Sequence, residues 1–258
     1  MIELKSPSEL DAMRESGRIV GDLHQEFSRR VCPGVTTLEL DAFAEEFICS
    51  HDGARPVFKG LYGFPGSLCT SINSEVVHGI PSEKRVLQEG DILSIDVGVT
   101  LDGWCSDAAR TYQVGEVSAD ARRLVEAAEA ALDAAIAVAV PELHVGDIGH
   151  AVESAVRPSG FHVIRDLVGH GVGRKVHEDP QVPNLGRPGE GPRLREGMVL
   201  AIEPMIAVGT WRIRTLSDGW TMVTTDQSLS THVEHTVAIT ADGPRILTVP
   251  SEKVAPLT

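Results

Sequence analysis

Leu87-Gln88-Glu89-Gly90-Asp91-Ile92-Leu93-Ser94-Ile95-Asp96 aligns without a gap on Leu194-Arg195-Glu196-Gly197-Met198-Val199-Leu200-Ala201-Ile202-Glu203, at a constant offset of 107 positions. Each copy is a polar turn containing glycine, then an apolar run, then a carboxylate. A repeat of this kind marks a duplicated architecture. Upstream, Val77-His78 before Gly79-Ile80-Pro81 is matched by Val176-His177 before Glu178-Asp179-Pro180. Further out, Pro33 ahead of a helix-like segment at 38–48 mirrors Pro141 ahead of 148–156.

Each half therefore reads as long helix, shorter helix, then strands. Ser6-Pro7-Ser8-Glu9 opens an amphipathic helix to about Val31, with a serine cap and a proline in its first turn. Ser118 opens the counterpart, an alanine-rich helix that runs to about Val140 and stops at Pro141. Thr37 and Asp147 are the expected caps of the shorter helices. Residues 92–99, 198–202 and 233–239 are β-branched runs expected to form strands. The expectation is one α+β domain over residues 1–258, with pseudo-twofold halves at about 6–115 and 116–248, helices packed on antiparallel sheet, and a site where the halves meet.

The chemistry begins at a hairpin. Asp102-Gly103 is a strong two-residue turn signal between residues 92–99 and the returning strand 104–111. Centred there, the turn sets Asp107 opposite Gly98, two residues from Asp96 on the same face; centred on Leu101-Asp102, it pairs the two aspartates directly. Either register makes the carboxylates neighbours. In an apolar strand pair they would repel and resist ionisation unless a positive charge lay between them; the plain alternative is a solvated face carrying ordinary surface charges.

Three further groups favour a metal. Gly169-His170-Gly171-Val172-Gly173 presents an imidazole between glycines, Ile202-Glu203-Pro204 repeats the position of Asp96, and Glu234 points away from the apolar face of Val233, His235, Val237 and Ile239. Two Asp, two Glu and one His suit manganese, iron, cobalt or zinc rather than a structural zinc site, which prefers thiolates. Five ligands exceed what one open catalytic ion needs and fit a pair about 3.5–4 Å apart. His232 and His235 flank Glu234, and His235 shares its apolar face, which makes packing its expected role.

Composition narrows the function classes. Hydrophobic residues at 42% and charged residues at 23% are those of a globular chain, and a net charge of −14 argues against specific nucleic-acid recognition. No apolar stretch reaches the roughly 18 residues of a membrane span, and residues 1–5 lack a signal-peptide core. Cys32, Cys49, Cys69 and Cys105 form no Cys-x-x-Cys pair, so a reducing, cytoplasmic setting is expected.

These motifs, in order with Ser71-Ile72-Asn73 ahead of Val77-His78-Gly79-Ile80-Pro81 and with Glu234-His235-Thr236, resemble the type I methionine aminopeptidases of the pita-bread fold over about residues 6–248. The resemblance implies a metallo-exopeptidase that removes the initiator methionine from nascent polypeptides with a small second residue, by attack of water shared between two divalent ions on the scissile carbonyl. It implies that Asp96 chelates one ion, His170 and Glu203 hold the other, and Asp107 and Glu234 bridge. His177 would contact the substrate carbonyl oxygen, His78 would lie beside the scissile amide, and Glu203 would take part in proton transfer. Leu61, Phe64, Cys69, Val176 and Trp220 fall at the methionine-pocket positions.

Two departures stand out. Leu61 and Val176 replace residues that are often aromatic in the family, implying a wider pocket, and Cys105-Ser106 stands where His-Gly is common before Asp107. The 31 positions from Glu203 to Glu234 lack the insertion that type II members carry there. Rival expectations are a proline-specific aminopeptidase of the same fold, which carries an additional N-terminal domain, and a non-catalytic pita-bread module that binds peptides. A monomer with a transient ribosome contact completes the expectation.

Overall fold

The computed structural model describes residues 1–251, with four α-helices among them: α1 (Pro7–Arg30), α2 (Thr37–Cys49), α3 (Ala119–Ala137) and α4 (Val145–Val156). α1 begins where the sequence says it should, because the Ser6 N–H donates to Glu9 Oε2 at 2.8 Å in a capping box and Pro7 has no N–H to lose. The shorter helices start earlier than expected. Thr36, not Thr37, caps α2: its Oγ1 accepts from the Glu39 N–H at 3.1 Å while Glu39 Oε2 accepts from the Thr36 N–H at 2.7 Å. Thr37 is drawn instead to the Ser82 backbone. α4 is capped at His144, and Asp147, three residues on, reaches back to the His144 N–H at 2.7 Å. Both differences have one cause: the acidic residue occupies the third helical position, where a box needs it.

The first half is built on the Ile92–Leu101 and Trp104–Gln113 hairpin, with Cys69–Ile72 and Ala54–Pro56 also pairing to its first strand. Its turn residues Asp102 and Gly103 both have left-handed φ, 51° and 78°, which matches the twist of a two-residue hairpin. The register sets Gly98 opposite Asp107 and Asp96 opposite Ala109. The first of the two sequence registers is therefore the one adopted, and the aspartates are diagonal neighbours on one face.

The second half is built on a five-stranded antiparallel sheet in the order Gly243–Ile246, His235–Thr240, Val199–Ile202, Val168–Gly171, Glu178–Pro183. Val20, Leu23 and Phe27 of α1 join Leu93, Ile95 and Val97 in one apolar cluster, while Leu124, Ala128 and Leu132 of α3 join Leu200, Ile202, Val237 and Ile239 in another. The repeated segments thus form corresponding strands, each covered by the long helix of its own half. Fully burying a leucine or valine in such clusters is worth about 1.5–3 kcal/mol.

The strand expected at 233–239 starts only at His235, as His235–Thr240, and Val233 and Glu234 form a break between it and a preceding strand, Ser230–His232. The break arises because the chain changes partners: the Val233 N–H donates to Pro204 O at 3.2 Å and the Glu234 N–H to Ala109 O at 2.8 Å, on the other half. Thr236 completes the seam, its Oγ1 donating to Asp107 O at 2.7 Å and accepting from the Asp107 N–H at 2.9 Å. The halves are stitched together at the aspartate itself. Among the described residues no helix is long and apolar enough to cross a membrane.

Candidate active site

Where the halves meet lies a cavity of about 690 Å3. Its lining includes Asp96, Asp107, His170, Glu203, Glu234, His78, His177, Leu61, Phe64, Cys69 and Trp220. Val176 is not part of that lining; its side chain is packed into the buried apolar cluster that also holds Phe64 and Cys69. Among the lining residues not singled out from the sequence are Phe58, Tyr62 and Met205.

The four carboxylates arrive from three different backbone situations. Asp96 and Asp107 sit mid-strand, buried because the hairpin face carrying them turns inward. Glu203 ends the Val199–Ile202 strand, where Pro204 cannot continue the ladder. Glu234 occupies the break just described and is 2% exposed. His170 lies between two glycines that are sterically required: a Cβ on Gly169 would collide with Ala201 O, and one on Gly171 with Asp179 O. Close strand packing on both sides thus leaves His170 as the side chain that projects.

Its orientation is fixed. His170 Nδ1 lies 3.0 Å from Gly171 O, a carbonyl that can only accept, so the proton sits on Nδ1 and the Nε2 lone pair is free. Nε2 faces Glu203 Oε1 at 3.5 Å and Asp107 Oδ2 at 4.0 Å. Such a backbone hydrogen bond on the far ring nitrogen is how metal-binding histidines are usually held. Asp107, His170 and Glu234 each present a donor atom within 4.8 Å of the others.

Four carboxyl groups in one buried site are electrostatically costly. Burial first, then the neighbouring acids, pushes Asp96 and Glu234 well above the usual carboxylate range. Burial likewise pushes Asp107 up to about 7, with the Glu203 charge adding to it, and Glu203 up to about 7. Asp96 Oδ1, Asp107 Oδ1, Glu234 Oε1 and His232 Nε2 are buried with no hydrogen-bond partner among the described residues. Orphaned acceptors converging on one cavity are what a bound cation would satisfy. Oxygen donors plus one imidazole fit a divalent ion of hard or borderline character.

Two neutral imidazoles stand above this floor. Burial lowers His78 and His177 to about 4 each, so both are uncharged at neutral pH. His78 has φ 60°, the left-handed region, at the end of the Glu75–Val77 strand, and the next residue must be glycine because a Cβ on Gly79 would collide with Thr70 O. His177 is bracketed by rings: edge-on to His170 at 4.5 Å and stacked beneath Tyr62 at 6.1 Å. Beside them, Phe64 and Trp220 meet edge to face at 5.2 Å and, with Phe58, Leu61 and Cys69, make an apolar wall.

The two flanking histidines part company. His235 Nδ1 is hydrogen-bonded to Thr248 Oγ1 at 2.8 Å and does not line the cavity, whereas His232 does. The period-two spacing that puts His232 and Glu234 on one side was visible in the sequence; Tyr62, an exposed residue beside Leu61, had no distinguishing signal.

The profile of metallopeptidase family M24 matches residues 11–241. The methionine aminopeptidase of Clostridium perfringens is 53% identical over 249 residues, covering 96% of this chain and 99% of the relative. Methionine aminopeptidase 1 of Bacillus subtilis is 50% identical with 96% and 99% coverage. The crystal structure of the Thermotoga maritima methionine aminopeptidase superposes with a TM-score of 0.95 at 44% identity, covering 96% of this chain and all of that one. With the pita-bread architecture of that structure and a profile match over nearly its whole length, this chain belongs to metallopeptidase family M24.

Proposed function

We propose that this protein is a methionine aminopeptidase, removing the initiator methionine from nascent polypeptides whose second residue is small, and that Asp96, Asp107, His170, Glu203 and Glu234 together hold two divalent ions. The observation that carries the reading is the set of orphaned, buried carboxylate oxygens beneath an apolar, aromatic wall. Relatives at 53% and 50% identity bearing that name support it over the proline-specific and non-catalytic alternatives.

Asp96 would serve one ion, His170 and Glu203 the other, with Asp107 and Glu234 shared; manganese, iron, cobalt and zinc all suit the donors. When bound, the ions supply positive charge that acidifies water and polarises a carbonyl. The remaining work falls to side chains. Glu203, whose carboxylate faces the cavity beside His170 at 3.5 Å, accepts and returns the proton of the attacking water. His177 donates an N–H to the carbonyl oxygen as negative charge develops, and His78 donates beside the scissile amide. Being neutral, both stabilise charge without competing for the acidic floor. Phe58, Leu61, Phe64, Cys69 and Trp220 receive the thioether, to which aromatic edges adhere favourably, with Val176 packed in the same apolar cluster. A free α-amine, present only at a chain end, is drawn to the carboxylates.

The two halves act as one catalytic domain, a cytoplasmic monomer in this reading. Its transient ribosome contact would need a basic patch on an otherwise acidic chain, and Arg165 and Arg212, both stacked on Trp211, offer one. The test is metal-dependent release of methionine from Met-Ala and Met-Leu peptides, with Asp107→Ala as control. Rapid cleavage of Met-Ala, little of Met-Leu, and none by the variant are expected; equal cleavage of both peptides or an unaffected variant overturns the reading.

A further inference from the structure

Lys5 is almost wholly removed from water, with 4% of its side chain exposed, and its Nζ donates to Glu178 Oε2 at 2.6 Å; the Glu178 side chain is 12% exposed. Burying such a pair is expensive, and two apolar residues of similar volume would hold a core as well or better. What an ion pair provides in exchange is directional geometry. Glu178 is the residue immediately after His177, and its other oxygen, Oε1, accepts from the Lys175 N–H at 3.1 Å. One carboxylate therefore ties both ends of the turn that presents His177.

Lys5 is itself tied elsewhere. Its backbone N–H donates at 2.7 Å to the carbonyl of Gly197, in the repeated turn that leads into the Val199–Ile202 strand and Glu203. Glycines leave the room this arrangement needs. A Cβ on Gly173 would lie 2.5 Å from Glu178 Oε1 and 2.6 Å from Lys5 Cε, and one on Gly197 would lie 2.7 Å from Lys5 O. The third glycine of Gly169-His170-Gly171-Val172-Gly173, which ligand geometry does not explain, is explained by this pair.

We propose that Lys5 and Glu178 form a positioning pair that fixes the reach of His177 relative to Glu203, a role that rests on the function given to His177 above. Lys5 touches no reacting atom. It joins the strand that ends in Glu203 to the turn that carries His177, and sets the distance between a proton acceptor and a carbonyl donor.

The test is Lys5→Met/Glu178→Met, which removes both charges and leaves neither partner stranded, assayed in the wild-type and His177→Ala backgrounds. With His177 present, kcat on a Met-Ala peptide should fall about tenfold, with KM and bound metal unchanged. With His177 already removed, the double substitution should cost nothing further. Gly173→Ala, which keeps both charges but crowds them apart, should reproduce the pattern if the double variant folds poorly. An unchanged kcat, or the same fractional loss in both backgrounds, overturns the proposal. A His177→Ala enzyme as active as wild type strikes instead at the role assigned to His177, so the two failures are distinguishable.

Discussion

His232 Nε2 lies 3.4 Å from Glu203 Oε2, the carboxylate oxygen opposite the one that faces His170. Glu203 is thus flanked by two imidazoles, one with its lone pair directed at the cavity and one whose buried Nε2 has no hydrogen-bond partner among the described residues. His232→Ala removes an imidazole that lies against Glu203. Metal affinity measured by calorimetry should weaken about 10–100-fold, the usual effect of losing a residue that orients a metal ligand; an unchanged affinity would show that Glu203 is held without it.

His177→Ala tests the proposed role of His177 as a donor to the substrate carbonyl oxygen. Losing one such donor costs on the order of 10²–10³ in kcat in other acyl-transfer sites. The same loss is expected here with KM within a few-fold, because a contact that strengthens only as charge develops does little for ground-state binding. A rise in KM at constant kcat would instead make His177 a binding residue.

Gly79→Ala should destabilise the fold by about 2–3 kcal/mol, in the range of overpacked substitutions. Its methyl group would collide with the Thr70 carbonyl, a backbone atom that cannot swing away. Thermal unfolding should show a midpoint lowered by roughly 5–10 °C, together with reduced activity, since His78 precedes it. A midpoint within a degree of wild type would mean that the turn relaxes freely.

His24 supplies a pH prediction from α1, where it packs against the strand that carries Asp107. It is fully buried between Tyr112 and the Ala108 carbonyl, and burial lowers it to about 3. Because the folded value lies below the ordinary one near 6.5, the unfolded state binds the extra proton first. Stability from this group is complete above about pH 6.5 and is lost as pH falls towards 3. His24→Gln should remove up to one proton from that slope, about 1.4 kcal/mol per pH unit, in urea titrations between pH 6.5 and 4. Parallel wild-type and variant curves would contradict it.

Much of this was legible in the residues. The gapless repeat ending in Asp96 and Glu203 gave the paired strands, and Asp102-Gly103 narrowed the hairpin to registers that all made the aspartates neighbours. Local signals ran out where the chain changes partners. Nothing near Val233 and Glu234 announces that their N–H groups bond Pro204 and Ala109, because those acceptors are distant in sequence. The caps fall at Thr36 and His144 rather than Thr37 and Asp147 because the acid three positions on, Glu39 or Asp147, closes the box. The Lys5–Glu178 pair was invisible for the same reason as the strand break: 173 residues separate its members.

In the proposed function, hydrolysis depends on ions held by five side chains from both halves. Equilibrium dialysis against manganese, with methionine release followed on the same samples, tests it most directly when wild type is compared with Asp107→Asn. Two ions per wild-type chain at saturation, no more than one in the variant, and a fall in kcat/KM on the order of 10³ or more, equivalent to about 4 kcal/mol, are expected. Equal metal content in the two proteins, or hydrolysis that survives the substitution, would contradict it.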